Sequence, residues 1–106
     1  MSQKLLTHSA STTAQFQSDI QKLIAILEKY PIRKIILYGS VARGDQRADS
    51  DLDICVDGLS NEYFFRALGE CLLTIDRPVS IIDFQNTWGY LRERILEEGR
   101  VIYERG

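Results

Sequence analysis

Residues 34–57 read KIILYGSVARGDQRADSDLDICVD. The apolar run Lys34–Tyr38 has the length and residue types of a buried strand. From Asp51 to Asp57 the chain alternates strictly. Leu52, Ile54 and Val56 face one way, and Asp51, Asp53, Cys55 and Asp57 face the other. Between these two strands, residues 39–50 form a polar loop punctuated by Gly39 and Gly44.

Upstream, Thr12-x-x-Gln15 has the form of a capping box. Phe16, Ile20, Leu23, Ile24 and Leu27 then make the apolar stripe of a helix over 13–29, which Pro31 ends. Residues 1–11 are polar and aperiodic, so a loose tail is expected there, ahead of a single domain over 12–106. The one histidine, His8, falls in that tail, which leaves no histidine base or ligand for a site. Downstream, Ser60 is placed to cap a helix with Phe64, Leu68, Cys71, Leu72 and Ile75 on one side. Pro78 precedes a third strand, Val79–Asp83. Asn86 or Thr87 caps a last helix expected to turn Trp88, Leu91, Ile95 and Leu96 inward, Gly99 stops it, and Val101–Tyr103 is a short final strand. This order predicts an α/β (α+β) fold, a small mixed β-sheet flanked by helices.

The 106 residues are 44% hydrophobic and 26% charged, the composition of a globular domain. No run is long enough to span a membrane. The net charge of −2 argues against an extensive grip on nucleic acid. Residues 1–50 carry seven Lys/Arg against four Asp/Glu, net +3, and residues 51–106 carry six against eleven, net −5. Cys55 and Cys71 both lie in apolar runs and read as buried, reduced thiols. Without an apolar leader near the N-terminus, a cytoplasmic location is expected.

Asp51 and Asp53 share a strand face, about 6.5–7 Å apart along the chain. Two carboxylates so placed repel each other unless a hard cation such as Mg²⁺ lies between them. A solvated strand edge can also carry such a pair, so the pattern alone is weak. Gly39-Ser40, directly after the first strand, allows a sharp turn and a close approach of phosphate, and Ser40 adds a hydroxyl donor. Asp83 ends the third strand. It reads either as a helix-start cap or as a third carboxylate and base, if that strand lies beside Asp51–Asp57. With Asp83 the set would suit a two-metal phosphoryl-transfer site. Arg43 has two readings, a loop tie through Asp45 or Asp49 or a contact to nucleotide phosphate. Gly44 is suited to a positive φ, and Trp88 and Tyr90 to stacking a base or packing at an interface.

The spacing of Gly39-Ser40, ten residues, then Asp51-x-Asp53 resembles the signature of polymerase-beta-type nucleotidyltransferases. The fuller string, with matching Gly39, Ser40, Ala42, Arg43, Gly44, Ser50, Asp51 and Asp53, is similar to that of the minimal nucleotidyltransferases, over about residues 15–104. The resemblance implies the polymerase-beta-like fold, with ATP as substrate and Mg²⁺, two ions, as cofactor. It implies catalysis and metal binding by Asp51, Asp53 and Asp83, with nucleotide contacts from Gly39, Ser40, Arg43, Gly44 and Ser50. It further implies an antitoxin in a hetero-oligomer with a helical HEPN-type toxin ribonuclease, to whose tyrosine hydroxyl AMP is transferred. Two other functions fit the same residues: a nucleotide-binding module that neutralises its partner by contact, and a subunit acting on a small molecule of aminoglycoside type.

Overall fold

A computed structural model describes the backbone of residues 2–105 and the side chains of residues 14–105. Its elements are α1 (Ser2–Leu27), β1 (Lys34–Tyr38), α2 (Gly39–Arg43), β2 (Leu52–Asp57), α3 (Asn61–Thr74), β3 (Val79–Asp83), a 3₁₀ turn (Phe84–Asn86), α4 (Gly89–Glu98) and β4 (Arg100–Glu104). α1 runs unbroken from Ser2 to Leu27, so the stretch expected as a loose tail is helical over 2–11 and the Thr12 capping box falls inside the helix rather than at its start; the side chains of these residues, His8 among them, lie outside those described. From Phe16 onward α1 buries Phe16, Leu23 and Leu27 of its predicted stripe, half-buries Ile20 and Ile24, and also buries Ile26.

The four strands form one mixed sheet in the order β3-β2-β1-β4. The central pair is antiparallel, as the loop between them requires, and sets Tyr38 opposite Asp53. β4 pairs antiparallel with the other side of β1. β3 runs parallel to β2, setting Leu52 opposite Val79, Asp53 opposite Ser80 and Val56 opposite Asp83. The α3 crossover between β2 and β3 makes that parallel pairing possible.

The alternation read in β2 divides the molecule. Leu52, Ile54 and Val56 join Ile35, Leu37, Val79 and Ile81 in the main core beneath α1 and α3. Cys55 joins Ile36 and Ile95 in a smaller core under α4, with Tyr38, Ile82 and Phe84 against it. Both cysteines are buried free thiols, pushed up to about 12 (Cys55) and about 11 (Cys71), chiefly by burial. At the far end of the α4 face, buried Asp57 accepts a hydrogen bond from Arg33 at 2.8 Å.

Two helices turn differently from their predicted stripes. α3 buries Ala67 and Cys71 and leaves Leu72 exposed. α4 buries Ile95, while Trp88, Leu91 and Leu96 are exposed, Trp88 at 77%. The reason is that α4 covers only the narrow face built by Ile36 and Cys55, which one isoleucine fills. Among the described residues, no helix is long and apolar enough to cross a membrane.

Candidate active site

The end of β1 and the start of β2 meet at the same edge of the sheet because the two strands are antiparallel. Gly39 follows Tyr38 with φ +74°, a left-handed conformation that turns the chain out of β1 into α2. Asp53 faces the space that a side chain on Gly39 would need. α2 ends at Gly44, whose φ of +83° is the positive value expected for it, and whose N–H donates to the carbonyls of Ser40 and Val41 at 3.0 and 3.3 Å.

A cavity of about 260 Å³ opens here, lined by Tyr38, Gly39, Ser40, Arg43, Asp53, Leu91 and Arg94. It is acidic on the strand side and basic on the helix side. Burial and then the neighbouring charge of Asp51 raise the Asp53 carboxyl above its usual range, against a smaller opposing effect of Arg43. A carboxylate so destabilised gains from a positive ion. Asp51 is exposed, one residue ahead of β2. These two hard oxygen ligands fit one divalent cation of the Mg²⁺ kind. Tyr38 is pushed up to about 12, mainly by burial and then by Asp53, so its phenol stays protonated.

Arg43 ties its loop as one of its readings expects, through Asp45. Its Nε donates to Asp45 at 3.3 Å, its Nη1 donates to Glu98 on α4 at 2.9 Å, and it lines the cavity. Arg94, one turn before Glu98, also donates to that carboxylate and also lines the cavity. Sequence reasoning missed Arg94 because the α4 charges read as a solvated face, and only the packing of α4 beside α2 brings it in.

Ser50 is turned into the loop. Its hydroxyl accepts the Arg47 N–H at 2.7 Å. The loop is tied down by Arg77, also missed in the sequence, which is 9% exposed and pairs with Asp19 of α1 at 2.9 Å. Arg77 Nη1 donates to the carbonyls of Ala48 and Ser50 at 2.8 and 3.0 Å, and its guanidinium lies 3.7 Å from the centre of the Phe16 ring.

The structure does not bring Asp83 to Asp51 and Asp53. β3 does lie beside β2, but the parallel register carries Asp83 to Val56, three residues or about 10 Å along the sheet from Asp53. Its carboxylate accepts from the Gln85 N–H at 3.1 Å and from Asn86 Nδ2 at 2.8 Å, which is the cap reading. Trp88 borders a separate cavity with Asp83 and Phe64, and Tyr90 is exposed; neither lines the Asp53 cavity.

Residues 21–106 match the family described as polymerase beta nucleotidyltransferase. Over 89 residues the chain is 36% identical to a candidate protein adenylyltransferase of Methanocaldococcus jannaschii, an alignment covering 74% of this chain and 88% of the relative. Among solved structures, a chain of a toxin–antitoxin crystal with AMP-PNP superposes with a TM-score of 0.66 at 22% identity, covering 83% of this chain and 73% of that one. A complex of a tri-AMPylated Shewanella oneidensis HEPN toxin with its MNT antitoxin gives 0.65 at 20% identity, covering 84% and 72%. At these identities the two structures establish a shared fold.

Proposed function

From the membership of this chain in the polymerase beta nucleotidyltransferase family we infer that it is an antitoxin that transfers AMP from ATP to a tyrosine hydroxyl of a HEPN-type partner toxin. The observation that carries this reading is the meeting of Asp53 with Arg43 and Arg94 across one small cavity. A triphosphate needs cationic contacts along its length, and these guanidiniums suit phosphate oxygens. The matched relative named as an adenylyltransferase supports AMP as the transferred group, and the AMPylated HEPN toxin in the superposed complex supports the acceptor.

In the reaction the acceptor oxygen bonds to the α-phosphorus, the α–β phosphoanhydride breaks, and pyrophosphate leaves while the hydroxyl loses its proton. Gly39 leaves room for the Asp53 carboxylate at the edge of the cavity, and Ser40 offers a hydroxyl donor. Arg43 and Arg94 hold the phosphates that leave and must release Glu98 to do so. Asp51 and Asp53 would hold Mg²⁺, which when bound neutralises charge on the triphosphate. Exposed Trp88 and Tyr90 suit anchors for the partner.

Intact-mass spectrometry of a HEPN partner incubated with this protein, ATP and Mg²⁺ tests the reading. The partner is expected to gain mass in AMP units and to lose ribonuclease activity as it does. Neutralisation without a gain in mass would replace this reading with inhibition by contact.

A further inference from the structure

Because β2 and β3 are parallel, they begin at the same end of the sheet, and their register decides which β3 side chain can share a ligand with Asp53. Tyr38, Asp53 and Ser80 form one row across three strands on the α4 face. Val79 and Ile81, to either side of Ser80, face the main core. Ile82 is two residues on and apolar, packed against the smaller core. Position 80 is therefore the one place on β3 from which a carboxylate could join Asp53. It holds an exposed serine, lying beside the Tyr38 phenol.

The other acids around the cavity are already engaged. Glu98 is held by Arg43 and Arg94 and Asp45 by Arg43, while Asp83 lies at the separate cavity and is held by the turn that follows β3. Among the described residues, no group of three or more His, Cys, Asp or Glu is arranged to hold a metal.

We propose that this chain binds its nucleotide with one divalent cation rather than two, and that Ser80 is the residue that sets this number. The inference rests on the nucleotidyltransferase reading of the site. Asp51 and Asp53, with phosphate oxygens and water, complete the shell of a single Mg²⁺. Two ions about 3.5–4 Å apart repel strongly and need anionic ligands on both sides. A neutral hydroxyl at residue 80 does not offset a second double charge. The incoming hydroxyl must accordingly give up its proton to water or to a group on its own protein, because this sheet presents no carboxylate there.

Mn²⁺ serves as the probe. Electron paramagnetic resonance counts the ions bound when protein and α,β-methylene-ATP are mixed in equal amounts above their dissociation constant. One Mn²⁺ per chain is expected for the wild type, for Ser80→Ala and for Ser80→Asn, and two for Ser80→Asp. The transfer rate of Ser80→Asp should rise by about tenfold or more, since a positioned base contributes roughly 10²–10⁴. Two ions in the wild type, or one in a folded Ser80→Asp protein, would overturn the proposal. If Ser80→Asp fails to fold by circular dichroism, the wild-type and Ser80→Ala counts decide it alone. No Mn²⁺ bound in the wild type, and no change on replacing Asp51 and Asp53, would instead remove the nucleotidyltransferase reading of the site.

Discussion

The carboxylate of Asp53 fills the volume in front of Gly39 that a larger residue would claim. A Cβ on residue 39 would overlap Asp53 Oδ2 and come within 3.1 Å of its Cγ. Gly39→Ala therefore meets two obstacles, the clash and a φ of +74°. The variant is expected to lose about 1–3 kcal/mol of stability and to displace the carboxylate. Gly44→Ala has the strain of φ +83° but nothing within 4 Å of its new methyl. It should cost about 1 kcal/mol and leave nucleotide binding in place. Urea unfolding and a nucleotide titration of the two variants check this, and normal binding by Gly39→Ala would contradict the assigned geometry.

Asp53→Asn separates stability from binding. Burial and Asp51 raise the folded-state pKa of Asp53 above its unfolded value. Its favourable contribution to folding is thus complete at acid pH and lost as pH rises through the folded value, so at neutral pH the charged form opposes folding. The asparagine variant should melt at the wild-type temperature or slightly above. Its cation affinity should fall by at least the roughly 10–100-fold typical of losing an outer partner of a ligand. In the wild type, acidification should remove the cation at a higher pH than an ordinary carboxylate would. Thermal melts and calorimetry with Mn²⁺ at several pH values measure both effects.

Arg77→Ala removes the tie between α1, the loop and the start of β3. Asp19 then lacks its partner and two carbonyls lose a donor, at a cost of about 2–4 kcal/mol. Arg77→Lys should restore little, because an ammonium cannot both fork to these oxygens and stack on Phe16. Chemical denaturation gives the cost.

Glu98→Gln frees two guanidiniums. Arg43 and Arg94 hold the Glu98 carboxyl below its usual range, so at neutral pH it competes with phosphate for both. The glutamine variant should bind ATP severalfold more tightly, with steeper salt dependence. Equal affinity in wild type and variant would show that these arginines do not reach the phosphates.

The sequence was most legible where the chemistry is local. The period-two pattern of β2 and the turn glycines each follow from neighbours within a few residues and stand in the structure as read, although β2 begins at Leu52 and leaves Asp51 just ahead of the strand it was read into. What pairs across the sheet was not legible. Alternation placed Asp83 correctly within its own strand, but only the parallel register opposes it to Val56 and gives Ser80 to Asp53. Arg94 and Arg77 were hidden for the same reason, since their partners lie on other elements. The α4 stripe misled because a helix covering a narrow strip of sheet leaves most of its apolar residues outside.

Asp53 sits within the hydrogen-bonded ladder, whereas Asp51 lies just ahead of it, next to the Ser50 carbonyl that Arg77 holds. The two carboxylates are thus positioned by different parts of the fold, one by strand pairing and the other by a side chain that reaches back to α1. A disturbance at Arg77 or Asp19 is thereby transmitted to the backbone beside Asp51, while Asp53 keeps the place that the strand pairing gives it.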